Sequence, residues 1–127
     1  MFIPKVKLVQ AILAFTTTLV AANGCYDGGL VFSDLIGGSV DGDINDFSNK
    51  YRGSASPPNA VVTHCYPFPQ SGNRLQMSLQ NNQGSSQDLR YEDCTRYFGV
   101  ERTACKHGSE QDHGSFHYYI YPNDGNC

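Results

Sequence analysis

Arg74-Leu75-Gln76-Met77-Ser78-Leu79-Gln80 carries an apolar residue at every second position. Side chains along a strand point alternately to its two faces, so Leu75, Met77 and Leu79 belong to a core and Arg74, Gln76, Ser78 and Gln80 to water. The stretch therefore predicts a strand of a sheet that is packed on one face and wet on the other.

The flanks extend this reading. Upstream, Val61-Val62-Thr63-His64-Cys65-Tyr66 is β-branched and aromatic and predicts a second strand, cut short by Pro67 and Pro69. Downstream, Asn81-Asn82-Gln83-Gly84 supplies a turn, and Asp88-Leu89-Arg90 starts a return strand. The last strand is expected over 115–121, with Phe116, Tyr118 and Ile120 on one side and His117, Tyr119 and Tyr121 on the other. Residues 25–32 read as an extended start, and Gly37-Gly38 as a break.

Two stretches have helical spacing instead. Over 41–52, Ile44, Phe47 and Tyr51 recur on one stripe, and Asp41 and Asp43 sit where a helix start favours negative charge. Gly53 and the Pro57-Pro58 pair end that helix. Ser48 falls on the same stripe, where a small hydrophobe or a cysteine is the expected residue. The second helix is expected over 91–105, with Glu92 and Asp93 in its first turn and Cys94, Tyr97, Phe98 and Glu101 on one face. Gly108 is its expected stop, and Gly99 in its middle costs about 1 kcal/mol.

The chain has 127 residues, enough for one small domain and too few for two. Residues 1–22 read as an export signal: Lys5 and Lys7 precede an apolar run over 8–20, and Val20-Ala21-Ala22 offers small residues to a signal peptidase. A spanning helix needs ~20 apolar residues, so this shorter run predicts no membrane insertion. Cleavage leaves residues 23–127 as a single secreted, extracellular, cysteine-rich domain. Of nine basic residues seven then remain against twelve acidic ones, a net charge of −5. Binding to nucleic acid or to an anionic membrane needs clustered Lys and Arg, which this segment lacks, so neither is an expected partner.

All five cysteines, Cys25, Cys65, Cys94, Cys105 and Cys127, lie in the exported part. A domain this small buries only about two-thirds of its unfolded surface, so structural disulfides are expected, each contributing ~2–4 kcal/mol. No Cys-x-x-Cys pair suggests zinc or thioredoxin-like chemistry. Along one helix, Cys94 and Cys105 stand ~16 Å apart, whereas bridged Cα atoms lie within ~7 Å. They cannot pair with each other, and each is expected to look outward to Cys25, Cys65 or Cys127. Two bridges nevertheless leave one thiol over, which is buried and inert, joined to a second chain, or left behind by a lost partner.

A family resemblance rests on Cys25-Tyr26-x-Gly28-Gly29, the helix before Cys65, the Asn81-Asn82-x-Gly84 turn and the stretch from Leu89 to Cys94. Cys105-x-His107-Gly108-Ser109, Gly114-x-Phe116-x-Tyr118 and Pro122-Asn123-x-Gly125-x-Cys127 complete it. Together these resemble the small secreted fungal glycan-binding proteins typified by an ink-cap mushroom lectin. The resemblance implies an α+β fold, an antiparallel sheet of about four strands with two helices packed on it, disulfide-stabilised, and a carbohydrate-binding activity. The departure is Ser48, where the family would carry a cysteine. A bridge lost at that position explains the odd cysteine count, with the widowed partner not identified.

Other chemistries have less behind them. His107, His113 and His117 fall close to Glu110 and Asp112, but a metal needs three or four converging donors and loop histidines beside Gly and Ser are ordinary surface residues. The repeat of His107-Gly108-Ser109 as His113-Gly114-Ser115 reads as loop composition. No metal or other cofactor is expected. Ribonuclease chemistry would ask for a base, an acid and a phosphate-holding Arg, roles that His64, Glu92, Arg74 and His117 supply by type; any chain with four His and five Arg supplies them too. No Gly-x-Ser-x-Gly elbow suggests a serine hydrolase.

Sugar recognition needs flat aromatic faces plus amides, carboxylates and backbone groups. Tyr119, Tyr121, Asn123 and Asp124 bring these types together near the C-terminus, with Tyr119 and Tyr121 on one side of a strand. The competing reading covers that side with a helix and makes the tyrosines core, and Tyr66 is open in the same way. The expected function is a non-catalytic secreted glycan-binding protein with glycans as partners. Its rival is a small effector or toxin-like protein acting on a host or competitor protein, and a secreted ribonuclease is the enzymatic alternative.

Overall fold

The structure, a computed structural model, describes residues 24–53 and 55–127. The export signal read over residues 1–22 lies outside the described residues. After a 3-10 turn at Phe32–Asp34, the elements run α1 (Val40–Tyr51), β1 (Ala55–Ser56), β2 (Val61–Phe68), β3 (Asn73–Asn81), β4 (Gln87–Asp88), α2 (Tyr91–Ala104), β5 (Ser109–His113) and β6 (Phe116–Asp124). The fold is α+β: an antiparallel sheet in the order β2-β3-β6-β5, with both helices on one face.

Alternation decides which face is covered. Leu75, Met77 and Leu79 of β3 and Phe116, Tyr118 and Ile120 of β6 are all buried beneath the helices. From α1 comes Phe47 and from α2 Phe98, both fully buried; their rings meet edge to face at 5.3 Å, and Phe98 meets Tyr118 at 4.9 Å. Such a ring contributes about 2–3 kcal/mol by leaving water, so these three join helices to sheet. Tyr66 faces the same core, and its hydroxyl donates to Asp46 on α1 at 2.7 Å, which settles it as a structural residue.

Helix α1 starts one residue before the expected Asp41, because the Ser39 hydroxyl accepts from the Gly42 N–H at 3.0 Å and so caps it. Strand β2 runs on through Pro67, which an edge strand tolerates because it need not donate on its outer side.

The return strand expected at Asp88-Leu89-Arg90 is a correction. Gln87–Asp88 pairs with Ala55–Ser56 in a separate two-stranded sheet, and Leu89 is buried in the core. The fourth strand of the main sheet is Ser109–His113, read from sequence as loop. It forms because β6 offers it a partner. Gly108, at φ +91°, lets it begin: a Cβ there would lie 2.5 Å from the Ile120 carbonyl oxygen.

Two disulfides close the chain, Cys25–Cys105 and Cys65–Cys127. The expectation that both Cys94 and Cys105 reach outward to a bridge is therefore half corrected: Cys94 is free and fully buried. Its thiol lies within hydrogen-bond reach of the Ser48 hydroxyl, and burial pushes its pKa up to about 11 although Ser48 acts the other way. The two disulfides fit an oxidising compartment. No helix among the described residues is long and apolar enough to cross a membrane.

Candidate functional site

The face of the sheet away from the helices is lined by polar and aromatic side chains in rows set by strand register. Thr63, Ser78, Tyr119 and Glu110 form one row; Cys65, Gln76 and Tyr121 the next; Val61, Gln80, His117 and Asp112 the row on the other side. Tyr119 and Tyr121 are half-buried rather than core, because alternation along β6 puts them opposite Phe116, Tyr118 and Ile120. Their ring centroids lie 6.1 Å apart.

A third tyrosine completes the cluster. Tyr26 stands edge-on to Tyr121 at 5.2 Å and to Tyr119 at 6.3 Å. Three contacts place it there: the neighbouring Cys25–Cys105 bridge, its N–H donating to the Gly108 carbonyl at 2.9 Å, and its hydroxyl donating to Glu110 Oε2 at 2.7 Å. Burial and the Glu110 carboxylate push the Tyr26 phenol well above the usual tyrosine range, so it remains a protonated donor.

Amides and a guanidinium border the tyrosines at one end. Gln76 Oε1 accepts from Asn123 Nδ2 at 3.2 Å and from Arg74 Nε at 3.3 Å, while Arg74 also donates to the backbone carbonyls of Asp124 and Asn126. Of the four residues predicted for sugar binding, Tyr119, Tyr121 and Asn123 thus share this face. Asp124 has the other parity along β6 and is exposed at its end. Sequence reasoning missed Tyr26, Gln76, Ser78 and Glu110 as neighbours; the one signal for Tyr26 was its place beside a cysteine.

At the other end, His117 is held between two carboxylates, with Nδ1 at 2.7 Å from Asp112 Oδ1 and Nε2 at 3.1 Å from Glu110 Oε1. Burial pulls the imidazole pKa down, but hydrogen bonds and charge from Asp112 and Glu110 outweigh it, so it sits above its ordinary 6.5. Glu110 is held below its ordinary 4.5 by its hydrogen bonds from Tyr26 and His117. A raised histidine stabilises the fold fully below 6.5 and less as pH rises through its folded value; a depressed carboxylate stabilises it above 4.5 and less as pH falls. Between pH 4.5 and 6.5 both contributions are in place. Between pH 6 and 9 the melting temperature of the parent is expected to fall relative to that of His117→Gln, which lacks the titrating group. Parallel curves would remove this account of the triad.

The other histidines do separate work. His107 Nδ1 lies 3.1 Å from the Gly29 carbonyl, and His113 Nε2 lies 2.7 Å from Glu101 Oε2. Among the described residues no group of three or more His, Cys, Asp and Glu is arranged to hold a metal ion. The residues considered for ribonuclease chemistry are dispersed: His64 packs at a tilt beside Tyr66 on the helix side, Glu92 pairs with Arg90 at the start of α2, and Arg74 and His117 occupy opposite ends of the open face.

The chain matches no protein-family model, and no curated protein is similar enough to it to count as a relative.

Proposed function

We propose that this chain is a secreted, non-catalytic glycan-binding protein that takes sugar on the open face of its sheet. The single observation carrying the reading is the cluster of Tyr26, Tyr119 and Tyr121, bordered by the Gln76 and Asn123 amides. A pyranose has an apolar face that stacks on an aromatic ring and hydroxyls that bond to amides and carboxylates, and this face carries all of those partners. The disulfides that hold Tyr26 and the C-terminus in place support a rigid platform, which lowers the ordering cost of binding.

A broad glycan array with the oxidised protein tests the reading, and binding to at least one oligosaccharide is expected. Tyr121→Ala should weaken that binding at least ten-fold, equivalent to ~1.4 kcal/mol, with little change in melting temperature because the ring is only half-buried. An array at background would overturn the proposal. So would capture of a host or competitor protein that free sugar does not compete, which is the result the effector reading requires.

A further inference from the structure

We propose that the chain carries a second ligand site, on the helix side of the sheet, that takes a single uncharged pyranose. A cavity of about 170 Å³ opens where the start of α2 meets the β5–β6 turn at Gly114. That is room for about five or six waters at ~30 Å³ each, the scale of one sugar ring, and well below the ~300–1,000 Å³ of a drug-sized pocket.

One wall is aromatic and fixed. The His113 ring stacks on Tyr97, with centroids 4.4 Å apart and planes within 10°. What fixes it is Glu101 on α2, a carboxylate only 2% exposed. Its oxygens accept from Ser109 Oγ at 2.7 Å, His113 Nε2 at 2.7 Å and Gln111 Nε2 at 3.3 Å, all from β5. Burying a carboxylate is costly unless donors converge on it, and one of the three donors here is the imidazole that lines the cavity, which the bond to Glu101 orients. The costly group therefore holds a ring in place at a concave surface, as a positioning shell does around a site.

The remaining lining narrows the ligand. Phe116 and Tyr118, both buried, close the cavity from below, so the ring surface open to the C–H face of a sugar is that of the half-buried His113 and Tyr97. On the rim, Asp88 and the second oxygen of Asp93, whose first accepts from Arg96 at 3.3 Å, are acceptors for sugar hydroxyls, and Arg90 is a donor for a ring or glycosidic oxygen. With Arg96 3.3 Å from Asp93 and Glu92 3.9 Å from Arg90, the rim and its partners carry three carboxylates against two guanidiniums, which disfavours an anionic sugar.

The test is amide chemical-shift mapping on the oxidised, isotope-labelled protein titrated separately with the methyl glycosides of glucose, galactose and mannose, and with N-acetylneuraminic acid as the anionic control. At least one methyl glycoside should give saturable shifts at Leu89, Tyr97, His113 and Phe116, whether or not Tyr121 and Asn123, which report the open face, also move, and N-acetylneuraminic acid should give none at those four. Asp88→Asn, at an exposed position, should weaken the binding at least ten-fold without altering the fold. No saturable shift at those four amides with any glycoside, shifts confined to the open face, or an Asp88→Asn affinity equal to the parent's would each overturn the proposal. Because the two faces report through different amides, failure of the open-face reading leaves this one standing, and the reverse.

Discussion

Replacing Cys25 and Cys105 together by alanine is expected to lower the stability of the oxidised protein by about 2–5 kcal/mol, a large share of the ~5–15 kcal/mol typical of a domain. The bridge joins residues 80 apart in sequence, so its removal returns a long loop's freedom to the unfolded chain. In the folded state it pins the N-terminal segment, which also pairs with β5 through the isolated Cys25 to Ser109 bridge, against the residue that caps α2. A melting temperature lower by about 10–20 °C follows for a domain of this size. Tyr26 should lose more than the average residue. Without its covalent neighbour it keeps only the Gly108 and Glu110 hydrogen bonds and two edge-on ring contacts. If the open face takes glycan as proposed, its affinity should therefore fall even below the unfolding transition, whereas Tyr121→Ala should reduce affinity and leave stability nearly alone. Thermal and urea melts alongside glycan titration separate the two effects. A double variant that melts with the parent would mean that non-covalent packing alone closes this end of the molecule.

The same geometry explains what could be read from sequence and what could not. Strands β3 and β6 were legible because each has one face in a core: Leu75, Met77 and Leu79 alternate with polar residues, and so do Phe116, Tyr118 and Ile120 with His117, Tyr119 and Tyr121. The covered faces of α1 and α2 were legible for the corresponding reason, at a period of 3.6. Strand β5 carries Ser-Glu-Gln-Asp-His and has no apolar alternation to detect. It is a strand because β6 pairs with it, a tertiary cause that local pattern does not contain. Leu89 misled in the opposite direction, being an apolar residue between polar ones that is buried from a loop just before α2.

At the site, parity along the expected strand was sufficient to place Tyr119 and Tyr121 on one face; Asn123 joins them because β6 runs on to Asp124, past the expected end at 121, and whether a helix covered that face was beyond local pattern. Tyr26 was out of reach, since it meets Tyr119 and Tyr121 across more than ninety residues through a bridge whose pairing was open. The histidines near 107–117 looked alike in sequence, yet His107 holds the N-terminal loop, His113 a buried glutamate and His117 two surface carboxylates. Residue type proposed their chemistry, and partners from other strands decided it.

Ser48→Cys is expected to form a third bridge, to Cys94, and to stabilise the oxidised protein by about 2–3 kcal/mol. Both positions are fully buried and their side chains already lie within hydrogen-bond reach, one on each helix, beside the Phe47–Phe98 contact. Closing a loop of about 47 residues is worth ~4 kcal/mol of unfolded-state entropy. Against this stands the hydrogen bond that Ser48 Oγ donates to the Ile44 carbonyl at 2.8 Å, worth about 1 kcal/mol. The melting temperature should rise by about 10 °C, and the gain should vanish under reductant, where the variant lacks that hydrogen bond. Alkylation without prior reduction gives the matching readout by intact mass. The parent should take one label per chain only when denatured, because the Cys94 thiol is buried with a pKa of about 11. Ser48→Cys should take none. A variant that forms the bridge and melts no higher would refute the view that Cys94 is the survivor of a lost helix-to-helix disulfide. A variant that takes two labels would place the helices too far apart for one to have existed in this packing.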